Sequence, residues 1–420
     1  MTMLADLLST VFERRWRASG AGDSDPRPTE DLAEAVLGSD GEMSGQKLGR
    51  IILDRFAGMD EDARRAFFNY LATAMDFDPG QVRDALAAYE AAPSRHTYRD
   101  FARAAEPRRQ ELIRRLNRVP QATAELVAMR ADLLKHARTD PALAALDLDF
   151  QHLFGSWFNR GFLALRPISW ESPAHILDKI IAYEAVHAID SWDDLRRRLE
   201  PEDRRCFAFF HPAMADEPLI FVEVALTNGV PASVQDLLSE ERDAILATDA
   251  DTAVFYSISN CQAGLANISF GNSLIKQVAM DLSLELPGLK TFVTLSPIPL
   301  LNAWLTEQEL APQPEDGDRL RALAAHYLLE AKRNGGAPRD PVARFHLGNG
   351  AQVHKIHAGA DLSEKGVAQS SGVMVNYLYD LGRVAQNHEG FATTGEIAAS
   401  AEMRALNAAG KRVAAQEAGQ

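Results

Sequence analysis

This chain of 420 residues contains two cysteines, Cys206 and Cys261, and no long apolar run. Two thiols are too few for a disulfide framework or a thiolate zinc site. They fit a reducing compartment, where both are expected to be inert. No segment approaches the roughly 20 apolar residues needed to cross a bilayer, so no membrane partner is expected. Positive charge is outnumbered, with 44 Lys and Arg against 59 Asp and Glu. The formal net charge is −15, which argues against a general nucleic-acid or anionic-membrane surface. An anionic small ligand stays possible, because a nest of backbone N–H groups works whatever the global charge. An acid comes early, and both a basic start and a small-residue cleavage site are lacking, so no secretory signal is expected. Arg14, Arg15 and Arg17 slightly resemble a transit peptide, but Asp6 and Glu13 count against it, and the expected location is the cytoplasm.

Several familiar catalytic signatures are missing too. There is no Gly-x-x-x-x-Gly-Lys-Ser/Thr phosphate loop, no His-Glu-x-x-His and no Gly-x-Ser-x-Gly elbow. His354 and His357 are spaced i, i+3, but no third ligand is in evidence, so neither a metal nor a cofactor is expected. His211, before Pro212, reads as a structural histidine.

What is present describes an ordinary globular protein, with 46% hydrophobic and 25% charged residues. The length exceeds one ordinary core, so two domains are expected. Residues 1–157 read as an all-α bundle. Asp60 is an N-cap candidate, Leu126, Met129 and Leu133 repeat at helical spacing after Pro120, and the basic run Arg108 to Arg118 reads as a solvated helix face. Strand-like alternation is scarce there, and an exposed apolar face would make this half the seat of a homo-oligomer. Residues 158–420 read as an α/β domain. Its strand candidates are Phe162–Arg166, Arg205–Phe210, Leu219–Thr227, Val254–Ser259 and Thr291–Leu295, with a turn at Met214–Pro218. Helices are expected over Pro173–Ala188, Asp193–Leu199, Asn272–Leu284 and Arg319–Asn334.

The stretch Phe255 to Val278 reads as a strand, a loop of small and polar residues, then an amphipathic helix. A loop feeding a helix N-terminus offers unpaired N–H groups and the positive end of a macrodipole, which suit a phosphate. Gly264 and Gly271 would permit close backbone approach, and Ser257, Ser259 and Asn260 would point polar groups to a ligand. A tight packing turn is the alternative reading of the same residues. Further on, Ser296 ends a strand in Leu295-Ser296-Pro297-Ile298-Pro299, where the prolines hold the chain extended. His346 precedes Gly348-Asn349-Gly350, so a sharp corner is expected around it.

Taken together these segments resemble the malonyl-CoA decarboxylase family. The resemblance rests on Phe255 to Ser259, Leu295 to Pro299 and Arg344-Phe345-His346-Leu347-Gly348-Asn349-Gly350-Ala351. It is reinforced by Glu184 to His187, Glu217 to Leu219, Val224 to Thr227, and Ser371-Gly-x-Met-x-Asn-Tyr-x-Tyr379, in order from about Trp157 to Leu381. It implies a helical N-terminal domain before a catalytic domain similar to the GNAT acetyltransferase fold. It further implies Ser296 and His346 as a catalytic pair. The loop Ala266, Asn267, Ile268, Ser269, Phe270, Gly271 and Asn272 would bind malonyl-CoA, with Ser257 and Tyr377 lining the pocket. Some members carry a glutamate where this chain has Ser269, so no carboxylate is assumed there. The implied reaction, malonyl-CoA to acetyl-CoA and CO2, needs no metal, because the thioester carbonyl accepts the electrons released. Two other readings share the cradle: a CoA-dependent acyltransferase, and a non-enzymatic acyl-CoA sensor. Incubation with malonyl-CoA alone separates them, since only a decarboxylase makes acetyl-CoA.

Overall fold

The computed structural model of the protein describes residues 25–39, 41–268 and 274–417. It divides into two compact units, one up to Phe154 and one from Gly155.

In the first unit the described residues form helices and no strand. They are α1 (Thr29–Gly38), α2 (Glu42–Gly58), α3 (Glu61–Thr73), α4 (Pro79–Ala91), α5 (Arg95–Ala105), α6 (Arg108–Leu116), α7 (Ala122–Ala137) and α8 (Pro141–Trp157). Asp60 caps α3 by accepting from the Ala63 amide at 2.8 Å. Leu126, Met129 and Leu133 of α7 are buried, with Phe56, Phe67, Phe68 and Phe150 in the same unit's core. The basic run of α6 differs from its expected solvated face. Arg109 is buried against Asp149 and donates to the Ala72 carbonyl at 3.1 Å, so part of this charge is internal and paired.

The second unit is built on a sheet in the order β1-β2-β3-β4-β5-β8-β6, with β7 added beside β8. The strands are β1 (Ala164–Ile168), β2 (Arg204–His211), β3 (Met214–Thr227), β4 (Thr252–Asn260), β5 (Thr291–Thr294), β6 (Ser296–Pro297), β7 (Gln352–His357) and β8 (Met374–Leu378). The helices are α9 (Ala174–Tyr183), α10 (Trp192–Leu199), α11 (Val234–Leu238), α12 (Leu274–Glu285), α13 (Leu301–Glu307), α14 (Gly317–Glu330), α15 (Pro341–Gly348), α16 (Glu364–Ser370), α17 (Val384–Thr394) and α18 (Ala401–Glu417). The architecture is a mixed α/β domain after a helical region, as expected. β3 is buried continuously from Leu219 to Leu226, which explains its apolar run, interrupted only by Glu223, itself buried beside Arg198.

Several boundaries depart from expectation. β2 and β3 meet in a tighter hairpin, with His211 opposite Met214, so residues 215–217 extend the strand instead of turning. Helix α9 stops at Tyr183 because Glu184 turns extended and its carboxylate takes the amides of Val186 and His187. Helix α14 ends at Glu330, and Lys332 bridges to Pro338. β7, which includes His354 and His357, was not anticipated.

The feature that makes a site is the pairing of β4 with β5. It is parallel from Thr252 to Phe255, and the other ladders of the sheet are antiparallel. The last link is the Leu295 amide on the Phe255 carbonyl, at 3.0 Å. Beyond it β4 runs on to Asn260, while Ser296 and Pro297 move over to pair with Val375 and Met374 of β8. A register shift opposite Glu223 and Val224 leaves Tyr256 as an extra residue in β4, which adds local twist where the strands part.

Gly350 closes the turn between α15 and β7 with φ +84°, and a Cβ there would stand 2.1 Å from the Val384 carbonyl oxygen. Gly350→Ala is therefore expected to cost roughly 2–4 kcal/mol through backbone strain and collision. Gly348→Ala, which meets open space, should leave the urea midpoint nearly unchanged. Equal midpoints for the two variants would contradict this account.

Candidate active site

The parted strands leave a cleft of about 240 Å³. That is smaller than the roughly 300–1,000 Å³ of a pocket for a whole drug-sized ligand, so it suits the end of a longer molecule. Phe255, Ile258 and Asn260 of β4 form one side, Ser296 and Pro297 another, and Phe345 and His346 of α15 a third.

Ser296 and His346 reach the cleft by different local rules. Ser296 opens β6, with only Leu295 between it and the end of β5, and its pairing with Val375 holds it in place. His346 lies in the last turn of α15, a helix where a sharp corner was expected. That helix starts at Asp340, whose carboxylate accepts from the Val342 and Ala343 amides, each at 2.9 Å, with Pro341 in the first turn. Burial pushes the Asp340 carboxyl up to about 6.

The two side chains meet. Ser296 Oγ lies 3.2 Å from His346 Nε2, both residues being buried. On the far side of the ring, Nδ1 is 2.8 Å from the Tyr379 hydroxyl. Tyr377 stacks on the imidazole at 4.5 Å and 22°, so it touches the histidine by its ring face. Its hydroxyl is buried without a hydrogen-bond partner among the described residues. Ser296 Oγ also donates to Thr294 Oγ1 at 2.8 Å. No carboxylate bonds His346 among the described residues, so nothing offsets its desolvation. Burial alone drives its pKa down to about 3, and the hydroxyls of Tyr377 and Tyr379 are pushed well above the ordinary phenol range. The site thus holds a neutral imidazole between two hydroxyl groups, an arrangement able to hold and pass a proton.

Other expected residues are placed differently. Strand alternation turns Ser257 and Ser259 away from Ile258 and Asn260, and Ser257 Oγ donates to Glu184 at 2.8 and 2.7 Å. Ser259 Oγ also donates to Glu184, at 3.3 Å. Ser257 is therefore absent from the cleft lining, whereas Asn260 is part of it. Ala266 and Asn267 are exposed just beyond the turn Ala263–Leu265, Asn267 has φ +62°, and Ile268 is buried. Ser269, Phe270, Gly271 and Asn272 lie outside the described residues. His211 is held structurally, Nε2 on the Trp157 carbonyl at 3.1 Å. Among the described residues no group of three or more His, Cys, Asp or Glu is placed to hold a metal. Both cysteines are free and buried, with their thiols pushed up by desolvation, which makes them poor nucleophiles. No helix among the described residues is long and apolar enough to cross a membrane.

Sequence reasoning missed Tyr379, Thr294 and Glu184 as members of these networks. Tyr379 stands two residues after Tyr377, so the period-2 alternation of β8, continued one residue past its end, marks both as sharing one side. No local signal singles out Thr294 in an apolar strand.

Comparison with known proteins adds a second line. Residues 161–320 and 316–417 match the family described as malonyl-CoA decarboxylase C-terminal domain, and residues 76–158 match the N-terminal domain of the same name. The mitochondrial malonyl-CoA decarboxylase of Anser anser anser is 32% identical over 409 residues, covering 83% of this chain and 81% of that protein. The Mus musculus protein of the same name is also 32% identical, over 417 residues, with 84% and 83% covered. Among solved structures, malonyl-CoA decarboxylase from Rhodopseudomonas palustris is 47% identical with a TM-score of 0.85, over 90% of this chain and 100% of that one. The Agrobacterium vitis enzyme is 48% identical with a TM-score of 0.84, over 90% and 99%.

The electrostatics of His346 lead to a pH prediction. Its folded pKa, about 3, lies below the ordinary value of 6.5, so between those limits the unfolded chain binds a proton that the folded one does not. Stability from this group is full above pH 6.5 and is lost as pH falls toward 3. The stability difference between the native protein and His346→Gln should therefore shift against the native protein on acidification. Histidine NMR should find the His346 ring neutral at pH 5, and a ring already titrating near pH 6.5 would refute this.

Proposed function

This chain belongs to the malonyl-CoA decarboxylase family and is a carboxy-lyase, and from that premise we propose that Ser296 and His346 carry the chemistry of its cleft. The observation that supports the pair is their 3.2 Å contact, buried at the mouth opened by β4 and β5. The coenzyme A portion lies along the loop after β4, where Ala266 and Asn267 are exposed. The malonyl end enters the cleft between Phe255, Pro297 and Phe345, whose apolar surfaces displace water from the carboxylate and weaken its solvation.

Breaking the bond between the α-carbon and the carboxylate sends its electron pair into the thioester, giving an enolate and CO2. Ser296 donates a hydrogen bond to the carboxylate and holds the breaking bond perpendicular to the thioester plane, where overlap is best. His346 delivers a proton from Nε2 to the α-carbon. A neutral imidazole suffices, because a thioester enolate is a stronger base than the imidazolate left behind. The Tyr379 hydroxyl, 2.8 Å from Nδ1, resupplies the ring from the other side. Solvent then restores the one proton each turnover consumes. A positioned proton donor contributes roughly 10²–10⁴-fold in rate.

The helical unit offers a reading of its own. Helices α4 and α5 contain no buried residue, and Phe77, Leu86 and Tyr98 are exposed. We assign this surface to homo-oligomerisation, where burying such a patch is favourable. Tyr98→Glu is expected to lower the mass in light scattering, and an unchanged mass distribution would count against the assignment.

For the active site, His346→Ala and Ser296→Ala should each lower acetyl-CoA formation from malonyl-CoA by about 10²-fold or more, while coenzyme A binding persists. Near-native CO2 release by both variants would overturn the assignment. Tyr379→Phe should fall between them and the native enzyme.

A further inference from the structure

We infer that Thr294 is a positioning residue for the reaction: by taking the proton of Ser296 it sets the direction of the hydrogen-bond chain and keeps a proton on His346 Nε2. The inference rests on the reading in which His346 protonates the substrate carbon. Thr294 is the last residue of β5 and is fully buried. Its hydroxyl oxygen accepts twice, from Ser296 Oγ at 2.8 Å and from the Tyr377 amide at 3.1 Å. Its backbone is fixed as well. The Thr294 carbonyl accepts from Asn376 Nδ2 at 2.7 Å, and Asn376 Oδ1 in turn accepts from His357 Nε2 at 2.6 Å. The side chain therefore stays beside Ser296 whatever the cleft contains.

Counting protons does the rest. A hydroxyl has one proton to donate. With the Ser296 proton on Thr294, Ser296 offers only lone pairs to Nε2, so Nε2 must carry a hydrogen to make the 3.2 Å contact. A neutral imidazole carries one such hydrogen, so Nδ1 is bare and accepts from the Tyr379 hydroxyl. The chain then runs one way, from Tyr379 through His346 and Ser296 to Thr294, and its imidazole is loaded on the side facing the cleft. When substrate enters, Ser296 can turn its proton to the carboxylate without disturbing the histidine, since Nε2–H already points outward. Without the Thr294 hydroxyl, Ser296 is free to donate to Nε2. That moves the ring proton to Nδ1, reverses the Tyr379 bond and leaves no proton to deliver. In a Ser–His–Asp triad, a change that imposes the wrong histidine tautomer with the geometry intact lowers kcat about 10⁴-fold.

The test reads the tautomer directly. In the native protein labelled with nitrogen-15 histidine, His346 should give the pattern of a neutral ring protonated on Nε2. Thr294→Val should shift the ring toward the Nδ1–H form and lower kcat roughly 10²-fold with little change in KM. Thr294→Ser, which keeps the hydroxyl, should restore both the tautomer and most of the rate. A native His346 found as Nδ1–H overturns the inference at once, and that measurement needs no variant to fold. It also falls if Thr294→Val loses activity with the tautomer unchanged, which would mean packing alone, or if Thr294→Val keeps both tautomer and rate. Should His346→Ala retain turnover, the protonation reading fails instead, whatever the tautomer of the native ring.

Discussion

The site depends on one constraint, the end of the parallel ladder between β4 and β5. After the Leu295 amide bonds the Phe255 carbonyl, the next backbone groups of the two strands find different partners. β4 stays with β3, and Ser296 goes to β8. Buried backbone groups must be paired, so each strand needs another strand to hold it once the two separate. β8 provides that neighbour for Ser296 and also brings Tyr377 and Tyr379 to the histidine. The cleft, its serine and the support behind its imidazole follow from a single exchange of partners.

The histidine is governed by a different balance. In many hydrolytic sites a carboxylate sits behind the imidazole and stabilises its charged form. Here the group behind it is a phenol, and burial is uncompensated. The ring therefore stays neutral, and its usefulness depends on which nitrogen holds the single proton. Such a site is controlled by hydrogen-bond direction more than by charge. Direction is set by groups as ordinary as a threonine hydroxyl, which explains why the buried surroundings of the pair matter as much as the pair itself.

Much of the helical unit was legible because its signals are local. Asp60 before an apolar repeat predicts its cap, and Leu126, Met129 and Leu133 repeat at the spacing that buries one face. Arg109 misled, since a basic residue among apolar ones reads as solvated unless its partner, forty positions away at Asp149, is known. In the second unit, strand identity came from apolar runs, whereas ends of elements were misplaced wherever a distant partner intervened. α9 ends early because Glu184 turns extended, where its carboxylate takes the Val186 and His187 amides and also accepts from Ser257, far along the chain. The glycines after His346 suggest a corner, whereas Asp340 and Pro341 spell the helix start that the structure contains. Ser257 looked like a ligand residue, but alternation along β4 turns it to the opposite face from Asn260.

By itself the sequence determined the two-part architecture, the strand–loop–helix order around residue 260, and the family, because those rest on short-range periodicity and on ordered motifs. The tertiary structure alone decided which of the named side chains face one another. Ser296 and His346 are fifty residues apart, and Thr294, Tyr377 and Tyr379 reach them only because β8 pairs with both β5 and β6. A side chain's chemistry depends on its desolvation and on its hydrogen-bond partners. Both arise when strands distant in sequence are stacked into one sheet.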